Sequence, residues 1–339
     1  MAYIENYEYN DVVSQALDKI SSYYSTDKNV KPKKVGVYRQ PSSTIIELRF
    51  HKKDIKPAGI ILKIRNRNDS LTVAEQEFKN LVELNKRFAK ESDLHVPKVV
   101  GFIPEKRTIL TEKIEGNSLY NIFVNSTGFF FNLLATKNLI YTVELAAKGL
   151  SILHVQTQGK MDKIVERDLG ICQRKLKKLQ ETLPVDFNKG FCEKILGVLR
   201  RTAIEFKNTK LVWLHRDFTP TNMIFNRKGL YILDFTMMKI GSYFEDAARF
   251  WQALEAIKIS RRFHRSIFCI LQDTFLSNYK EKVDILSPEF IFYRIKDVIT
   301  NLISYKILIM KDLYYSKKTY SLYYQPQIKW LKAIIESMC

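Results

Sequence analysis

Three side chains with oxygen atoms that can bind a metal or accept a proton lie close together in the sequence: Asp217, Asn222 and Asp234. Apolar runs at 223–225 and 230–233, with a turn between them, predict a small hairpin. The hairpin would bring the three side chains to one edge. Two carboxylates and an amide offer hard oxygen ligands, which suit a phosphate-bound Mg²⁺ and leave one carboxylate to act as a base.

The same stretch carries a longer pattern, H-x-D-x-x-x-x-N at 215–222, followed by a turn and by Asp234-Phe235. This pattern resembles the catalytic core of the protein-kinase-like fold, in its aminoglycoside phosphotransferase/choline kinase branch. The resemblance implies that Asp217 is the base that orients an acceptor hydroxyl. It also implies that Asn222 and Asp234 hold Mg²⁺ under the phosphates of ATP. The alternative interpretation is a solvated polar turn between two strands.

Length and composition are those of a globular protein. The chain has 339 residues, of which 46% are hydrophobic and 27% charged, and can form one or two domains. No apolar run is long enough to span a bilayer, and the acidic N-terminus is no signal peptide. The cysteines are scattered without C-x-x-C pairs, which predicts reduced thiols and a cytoplasmic location.

The formal net charge of +19 is large. It fits a phosphorylated acceptor, an anionic membrane face or nucleic acid, but also a general bias towards lysine on helix surfaces. No recognised nucleic-acid motif is present, so no specific nucleic-acid partner is expected. A peripheral membrane contact stays open, and the sequence does not predict the oligomeric state.

Before the motif, β-branched apolar segments predict an antiparallel sheet preceded by one amphipathic helix at 10–24. The predicted strands are 34–38, 44–50, 59–64, 96–100 and 108–110. From 119 onwards the chain is predicted to be mostly helical. The resemblance implies a two-lobed α+β architecture, with an ATP-binding lobe at 1–115, a catalytic and acceptor lobe at 116–339, and a helical insertion at 155–210.

Lys63 is the one charge within the third predicted strand, where an unpaired lysine is costly. The resemblance implies that it contacts the nucleotide phosphates and pairs with a glutamate of the following helix, at about 72–89. Glu77 is the first choice for this partner and Glu75 the second. The alternative is an edge-strand lysine that faces water.

Other nucleotide contacts follow only from the resemblance. No G-x-G-x-x-G is present; Ser42 and Ser43, in the turn at 39–43, stand where the fold has its phosphate-covering loop. A plain hairpin turn is the alternative for each serine. Main-chain groups of Glu112 and Ile114 would read the adenine edge at the hinge.

The insertion is predicted to form two helices, at about 163–183 and 187–208, with basic polar faces. The basic residues are Arg167, Arg174, Lys175, Lys177, Lys178, Arg200 and Arg201. Such a field would repel polycationic aminoglycosides and favours an anionic or sugar-containing acceptor. Two solvated helix faces are the alternative.

Several residues depart from the family pattern or extend it. Arg216 stands where glycine is common in small-molecule kinases, and would brace the loop or pair with an anionic acceptor. The segment after Asp234 is short and no A-P-E follows, so a protein kinase does not fit. Asp246 is predicted to brace the catalytic loop, and His154 to pack rather than react. A basic cluster at 261–265 and a tyrosine-rich stretch at 312–330 complete the chain.

Together these features predict an ATP- and Mg²⁺-dependent small-molecule kinase that phosphorylates a hydroxyl. A sugar or glycan precursor is the first choice of acceptor, and a choline-like amino alcohol or an aminoglycoside comes next. A non-catalytic nucleotide-binding module with a basic interaction surface is the alternative of another class. The presence of the base, both metal ligands and the strand lysine counts against it.

Overall fold

The computed structural model describes residues 9–25, 31–40, 42–51, 59–66, 71–126, 133–208, 210–260, 265–310 and 324–338. The chain forms two compact units. Unit 1 comprises Met1–Asn117 and Met223–Met238, and unit 2 comprises Ser118–Asn222 and Lys239–Cys339. By its contacts the hairpin after Asn222 belongs to unit 1, whereas the sequence-based division placed it in the C-terminal part.

Unit 1 begins with a helix and a sheet. Its elements are α1 (Asn10–Tyr24), β1 (Lys34–Arg39), β2 (Ser43–Arg49), β3 (Gly59–Arg65), α2 (Leu71–Phe88), β4 (Leu94–His95), β5 (Val99–Ile103) and β6 (Thr108–Glu112). Five of the strands form an antiparallel sheet in the order β1-β2-β3-β6-β5. The predicted five-stranded sheet is therefore confirmed.

The amphipathic pattern of α1 explains where the core of unit 1 lies. Val13, Ala16 and Ile20 are buried on one face of the helix, and they pack with sheet residues such as Leu48 and Leu110 in one apolar cluster. Burial of this face, more than local propensity, stabilises the helix. The strand predicted at 96–100 starts later, at β5, because Pro97 lacks the N–H that a ladder requires.

The remaining elements complete the chain. They are β7 (Asn117–Ser118), α3 (Leu119–Ser126), α4 (Leu133–Leu153), α5 (Met161–Thr182), α6 (Lys189–Ala203), β8 (Leu211–Leu214), β9 (Met223–Asn226), β10 (Gly229–Ile232), β11 (Lys239–Ser242), α7 (Phe244–Ser260), α8 (Arg265–Asn278), α9 (Pro288–Met310) and α10 (Gln325–Met338). The predicted hairpin is the antiparallel pair β9–β10 of unit 1, in which Met223 faces Ile232.

Unit 2 is mostly helical. Helices α5, α6, α7, α9 and α10 share one apolar cluster, with residues such as Leu176, Leu199 and Leu302 fully or almost fully buried. The predicted insertion forms α5 and α6, and Asn188 caps α6 by accepting a hydrogen bond from the Phe191 N–H at 2.9 Å.

The helical unit 2 and the antiparallel sheet of unit 1 confirm the predicted α+β class. In the described part of the chain, no helix is both long and apolar enough to cross a bilayer. Most of the tyrosine-rich stretch at 312–330 (residues 312–323) and most of the basic cluster at 261–265 (residues 261–264) lie outside the described residues.

Candidate active site

Lys63 lies in the middle of the unit 1 sheet. Its strand β3 pairs with β2 on one side and β6 on the other, so it is not an edge-strand residue. Its Nζ lies 2.9 Å from Glu77 Oε1, 2.8 Å from Asp234 Oδ1 and 2.7 Å from Thr236 Oγ1. The side chain is 18% exposed. Two carboxylates and a hydroxyl thus compensate the positive charge of Lys63, which would be costly to bury in a central strand without partners.

Glu77 is held from its other side by a second cation. Its side chain, on α2, is 3% exposed, and Arg65 Nη2 and Nε lie 2.5 Å and 3.1 Å from its Oε2. Arg65 is itself buried, at 2% exposure. Sequence reasoning missed Arg65, although residues i and i+2 of a strand share a face and Lys63 had been singled out.

Thr236 links these charges through one hydroxyl. Its Oγ1 lies 3.1 Å from Glu77 Oε1 and 2.6 Å from Asp234 Oδ1, and it also contacts Lys63 and Arg65. The backbone at Asp234 is left-handed, with φ of 61°, a conformation that aspartate tolerates better than most residues. The Asp234 side chain keeps 45% of its surface exposed, so a ligand can reach it.

A cavity of about 340 Å³ opens beside this cluster, entirely within unit 1. Lys63, Glu77, Asp234, Glu112 and Ile114, all predicted nucleotide or metal residues, line it. The other lining residues are Gln40, Ile45, Ile61, Leu81, Pro97, Ile109, Thr111, Lys113, Ile224, Leu233 and Phe235. Apolar walls with a few convergent charges at one end are typical of a small-molecule site, and the volume is in the usual range.

The hinge and the serine turn are less simple than predicted. The Glu112 N–H already donates to the Lys98 carbonyl at 2.9 Å. Ser43 is buried, and its hydroxyl donates to Gln40 Oε1 at 3.3 Å, whereas Ser42 is exposed. Gln40, which the sequence analysis did not single out, is the residue of this turn that lines the cavity. Roles for Ser42 and Ser43 in binding nucleotide stay predictions.

In unit 2 the structure brings Asp217 and Asn222 together. A 3₁₀ turn at Pro220–Asn222 directs the Asn222 Nδ2 to the Asp217 carbonyl at 2.9 Å and to Asp217 Oδ2 at 2.8 Å. The other carboxylate oxygen, Oδ1, accepts from Arg249 Nε at 3.0 Å and Nη2 at 2.5 Å. The Asp217 carboxylate is therefore fixed in orientation through both of its oxygens.

Arg249, on α7, is the contact of Asp217 that the sequence analysis missed. Its Nη1 pairs with Asp297 of α9, and Asn301 Nδ2 donates to Asp297 Oδ2 at 2.9 Å. Burial alone would lower the pKa of Arg249, but the carboxylates of Asp297 and Asp217 raise it. Burial raises the pKa of Asp297, and Arg249 opposes that shift. No local sequence signal connects positions 217, 249 and 297; only the packing of α7 on α9 does.

Asp246 braces the loop that carries Asp217, as predicted. Its carboxylate accepts from the main-chain N–H of His215 at 2.6 Å and of Arg216 at 2.7 Å. These bonds hold Arg216 in a left-handed conformation with φ of 65°. His154 is fully buried, with its ring nitrogens 3.0 Å from Asp246 Oδ2 and 2.6 Å from the Tyr279 hydroxyl, which confirms that it packs.

The family comparison decides the identity of the chain. Residues 38–268 match the phosphotransferase enzyme family. The chain belongs to this family. It is a phosphotransferase that acts on hydroxyl groups, as the sequence predicted. A comparison with curated protein sequences found no match.

Solved structures with the fold of this phosphotransferase include several small-molecule kinases. A glucosamine kinase in complex with glucosamine, ADP and inorganic phosphate has a TM-score of 0.65 at 11% identity, over 97% of this chain and 87% of that one. The choline kinase of Cryptosporidium parvum has 0.59 at 14%, over 96% and 97%. The ternary complex of APH(2")-IIa with streptomycin and ATP has 0.54 at 15%, over 98% and 97%. These likenesses confirm the two-lobed kinase-like fold.

Arg216, where this phosphotransferase departs from the family pattern, has an ion-pair partner inside unit 2. Arg216 Nε lies 3.3 Å from Glu245 Oε1, which favours the bracing role over the anion-pairing role. Burial raises the pKa of Glu245, but Lys296 and Arg216 outweigh it and lower the value to about 2. Lys296 also pairs with Asp168, at 2.9 Å.

The residues predicted to hold Mg²⁺ have suitable chemistry. The Asn222 Nδ2 has two acceptors on Asp217, which leaves the amide Oδ1 as the atom that can ligate. The exposed carboxylate of Asp234 supplies a second hard oxygen. In the described residues no group of three or more His, Cys, Asp and Glu side chains could hold a metal ion. Two oxygen ligands suit Mg²⁺, which usually keeps waters and substrate phosphates in its coordination shell.

Proposed function

We propose that this phosphotransferase is an ATP- and Mg²⁺-dependent kinase that phosphorylates a hydroxyl of a sugar, glycan precursor or related metabolite. The observation that carries the proposal is the contact of Lys63 with both Glu77 and Asp234 beside the apolar cavity of unit 1. A lysine fixed between two carboxylates, beside a cavity with mostly apolar walls, supports binding of a nucleotide with its metal.

In this proposal each cavity residue has a separate task. Lys63 neutralises the nucleotide phosphates, and Glu77 fixes the lysine. The adenine edge offers one donor and one acceptor. The Glu112 N–H already donates to the Lys98 carbonyl. The proposed acceptor for adenine is therefore the Glu112 carbonyl, and the proposed donor is the Ile114 N–H. Ser42 and Ser43 are proposed to cover the phosphates through main-chain groups.

Asp217 is the proposed base. Its carboxylate orients the acceptor hydroxyl and takes its proton, and the Asn222 and Arg249 contacts keep it in one rotamer. Asn222 and Asp234 are the proposed ligands of Mg²⁺, which would offset the charge that develops on the phosphates. The β9–β10 register supports their joint role, since Asn222 directly precedes Met223 and Asp234 follows closely after its partner Ile232.

The exposed charges of α5 and α6 support one class of acceptor over another. The related structures carry acceptors as different as glucosamine and streptomycin, so likeness alone does not select one. On α5 and α6, Arg174, Lys177, Lys178, Arg200 and Arg201 are all exposed. This basic field supports an anionic or sugar-containing acceptor over an aminoglycoside or a choline-like amino alcohol, because both of the latter are cationic.

The proposal is tested by a screen of hydroxylated metabolites with γ-labelled ATP and the full chain. The expected result is Mg²⁺-dependent transfer of label to a sugar or a glycan precursor, with no transfer by Asp217→Asn. Label transfer only to amino alcohols would overturn the acceptor class. Nucleotide binding without any transfer by the wild-type chain would favour a non-catalytic nucleotide-binding module.

A further inference from the structure

Lys175 behaves differently from the other lysines of the insertion. Lys177 and Lys178, on the same helix α5, are exposed, whereas Lys175 is partly buried. Its Nζ donates to Thr300 Oγ1 at 2.6 Å, and that hydroxyl donates to the Lys296 carbonyl at 2.7 Å. The ammonium group of Lys175 is thus directed onto α9 instead of into solvent.

The contact places Lys175 on the α9 surface that also serves the proposed base. Thr300 lies three residues after Asp297 on α9, and residues three apart on a helix are neighbours. Asp297 in turn binds Arg249, which binds Asp217. One face of α9 therefore carries the anchor of Lys175 and, beside it, the anchor of the arginine that orients the base.

The charges around Lys175 are not balanced. Arg249 contacts Asp217 and Asp297, Lys296 contacts Asp168 and Glu245, Arg216 contacts Glu245, and Arg167 contacts Asp168. With Lys175 itself, five cations stand against four carboxylates. None of these four carboxylates, all in the described part of unit 2, lies within ion-pair distance of Lys175.

This imbalance is reflected in the acidity of the amine. Burial, together with the positive charges of Lys296 and Arg249, lowers the pKa of Lys175 to about 8, against the opposing effects of Cys172 and Asp297. A partly buried ammonium group without a counter-ion is costly. An anionic ligand would supply the missing charge.

We propose that Lys175, with Arg249 beside it, forms a subsite that binds an anionic group of the acceptor, either a phosphate or a carboxylate. The subsite rests on the proposed function, because it assumes that the acceptor hydroxyl lies at Asp217. An ammonium has three N–H donors, and one of them is donated to Thr300. Oxyanions accept charge-assisted bonds from such donors more strongly than neutral hydroxyls do.

A binding experiment tests the subsite without relying on activity. The lysines of the full chain are acetylated with an amine-selective reagent and quantified by peptide mass spectrometry, with and without probes. The probes are inorganic phosphate, glucose 6-phosphate, glucuronate and neutral glucose, each in the presence of Mg²⁺-ATP to occupy the nucleotide site. The expected result is protection of Lys175 by at least one anionic probe and not by glucose, with the exposed Lys163 of the same helix unprotected.

The choice of probes distinguishes a phosphate from a carboxylate as the bound group. Protection by glucose 6-phosphate or phosphate assigns a phosphate group, and protection by glucuronate assigns a carboxylate. Equal protection of Lys175 and Lys163, or none of Lys175 by any anionic probe, would overturn the subsite. It would then leave Lys175 with a structural role on α9.

Kinetics give a second readout with a matched control. Lys175→Met should lower kcat/KM for an anionic acceptor by about ten- to a hundredfold, the loss of one charged hydrogen bond. It should leave the KM for ATP unchanged. Lys163→Met, at an exposed position of the same helix outside this basic field, should change neither value, and Lys175→Arg should restore part of the loss.

Failure of the subsite and failure of the proposed function give different results. Transfer to neutral and anionic sugars that is unaffected by Lys175→Met would reject the subsite and keep the kinase. Absence of Mg²⁺-ATP binding and of any transfer by the wild-type chain would reject the kinase, whereas labelling would still show whether an anion binds at Lys175.

Discussion

Two charged clusters, one in each unit, differ in how completely they are paired. In unit 1 the carboxylates of Glu77 and Asp234 contact Lys63, Glu77 also contacts Arg65, and the Thr236 hydroxyl joins all four. In unit 2 the pairs around Asp217 are followed by Lys175, which contacts a hydroxyl and no carboxylate of that cluster. The first cluster is closed, because its two cations match its two carboxylates. The second has five cations, including Arg167 on Asp168, for four carboxylates.

The difference bears on what each cluster is for. A closed cluster holds its geometry before a ligand arrives, which suits a nucleotide that is the same in every turnover. A cation without a counter-ion gains most when a ligand supplies one, which suits selection among acceptors. Three substitution experiments and one pH experiment test this difference between the two clusters.

Asp217→Asn should have the largest effect. We expect turnover to fall by about 10²- to 10⁴-fold, because the amide cannot take the hydroxyl proton. Stabilisation of the chain by Mg²⁺-ATP in a thermal-shift assay should persist, since Asp217 is not among the residues that line the unit 1 cavity. Unchanged turnover would remove Asp217 from the mechanism.

Arg65→Met should be the most destabilising change in the unit 1 cluster. It removes one partner of a buried ion pair, which costs about 3–5 kcal/mol in the free energy of unfolding. Lys63→Met should cost less stability, because Lys63 is 18% exposed and Arg65 still compensates Glu77, but it should weaken ATP binding more. Urea unfolding and nucleotide titration of both variants measure the contrast. Equal loss of stability would show that the cluster is not held by Arg65.

Thr236→Val tests whether the hydroxyl organises the cluster. Loss of its hydrogen bonds to Lys63, Glu77 and Asp234 should lower kcat/KM for ATP by about tenfold, because such hydrogen bonds usually contribute about one to two kcal/mol. Thr236→Ser keeps the hydroxyl and should restore activity. A serine variant as impaired as the valine variant would indicate that packing of the methyl group, and not the hydroxyl, matters.

The smallest expected effect is a pH dependence in unit 2. Lys175 binds an anion when protonated, so affinity for an anionic acceptor is full well below pH 8. It falls as pH rises through the Lys175 pKa of about 8, by up to about tenfold per pH unit above that value. The charged or titratable neighbours are Cys172, Lys296, Arg249 and Asp297. Lys175→Met should flatten the profile between pH 8 and 9; an identical profile in the variant would assign the titration to another group.

The sequence predicts the local elements and the unit 1 cluster better than the surroundings of Asp217. Helix α1 begins and ends where its apolar period does, and an isolated lysine in an apolar strand requires a carboxylate, which the next helix offers as Glu77. Arg65 was predictable from the strand period but was not singled out. Arg249 and Lys175 were not predictable, because only the packing of α7 and α5 on α9 distinguishes them from other basic residues.

The proposed mechanism requires that Asn222 and Asp234 bind the same Mg²⁺ ion, and Mn²⁺ can replace Mg²⁺ to test this. Electron paramagnetic resonance would measure Mn²⁺ affinity in the presence of a non-hydrolysable ATP analogue for the wild-type chain, Asn222→Ala and Asp234→Ala. We predict that both substitutions weaken Mn²⁺ binding in the nucleotide complex, Asp234→Ala more strongly. Wild-type affinity in Asn222→Ala would contradict a metal shared by these two residues.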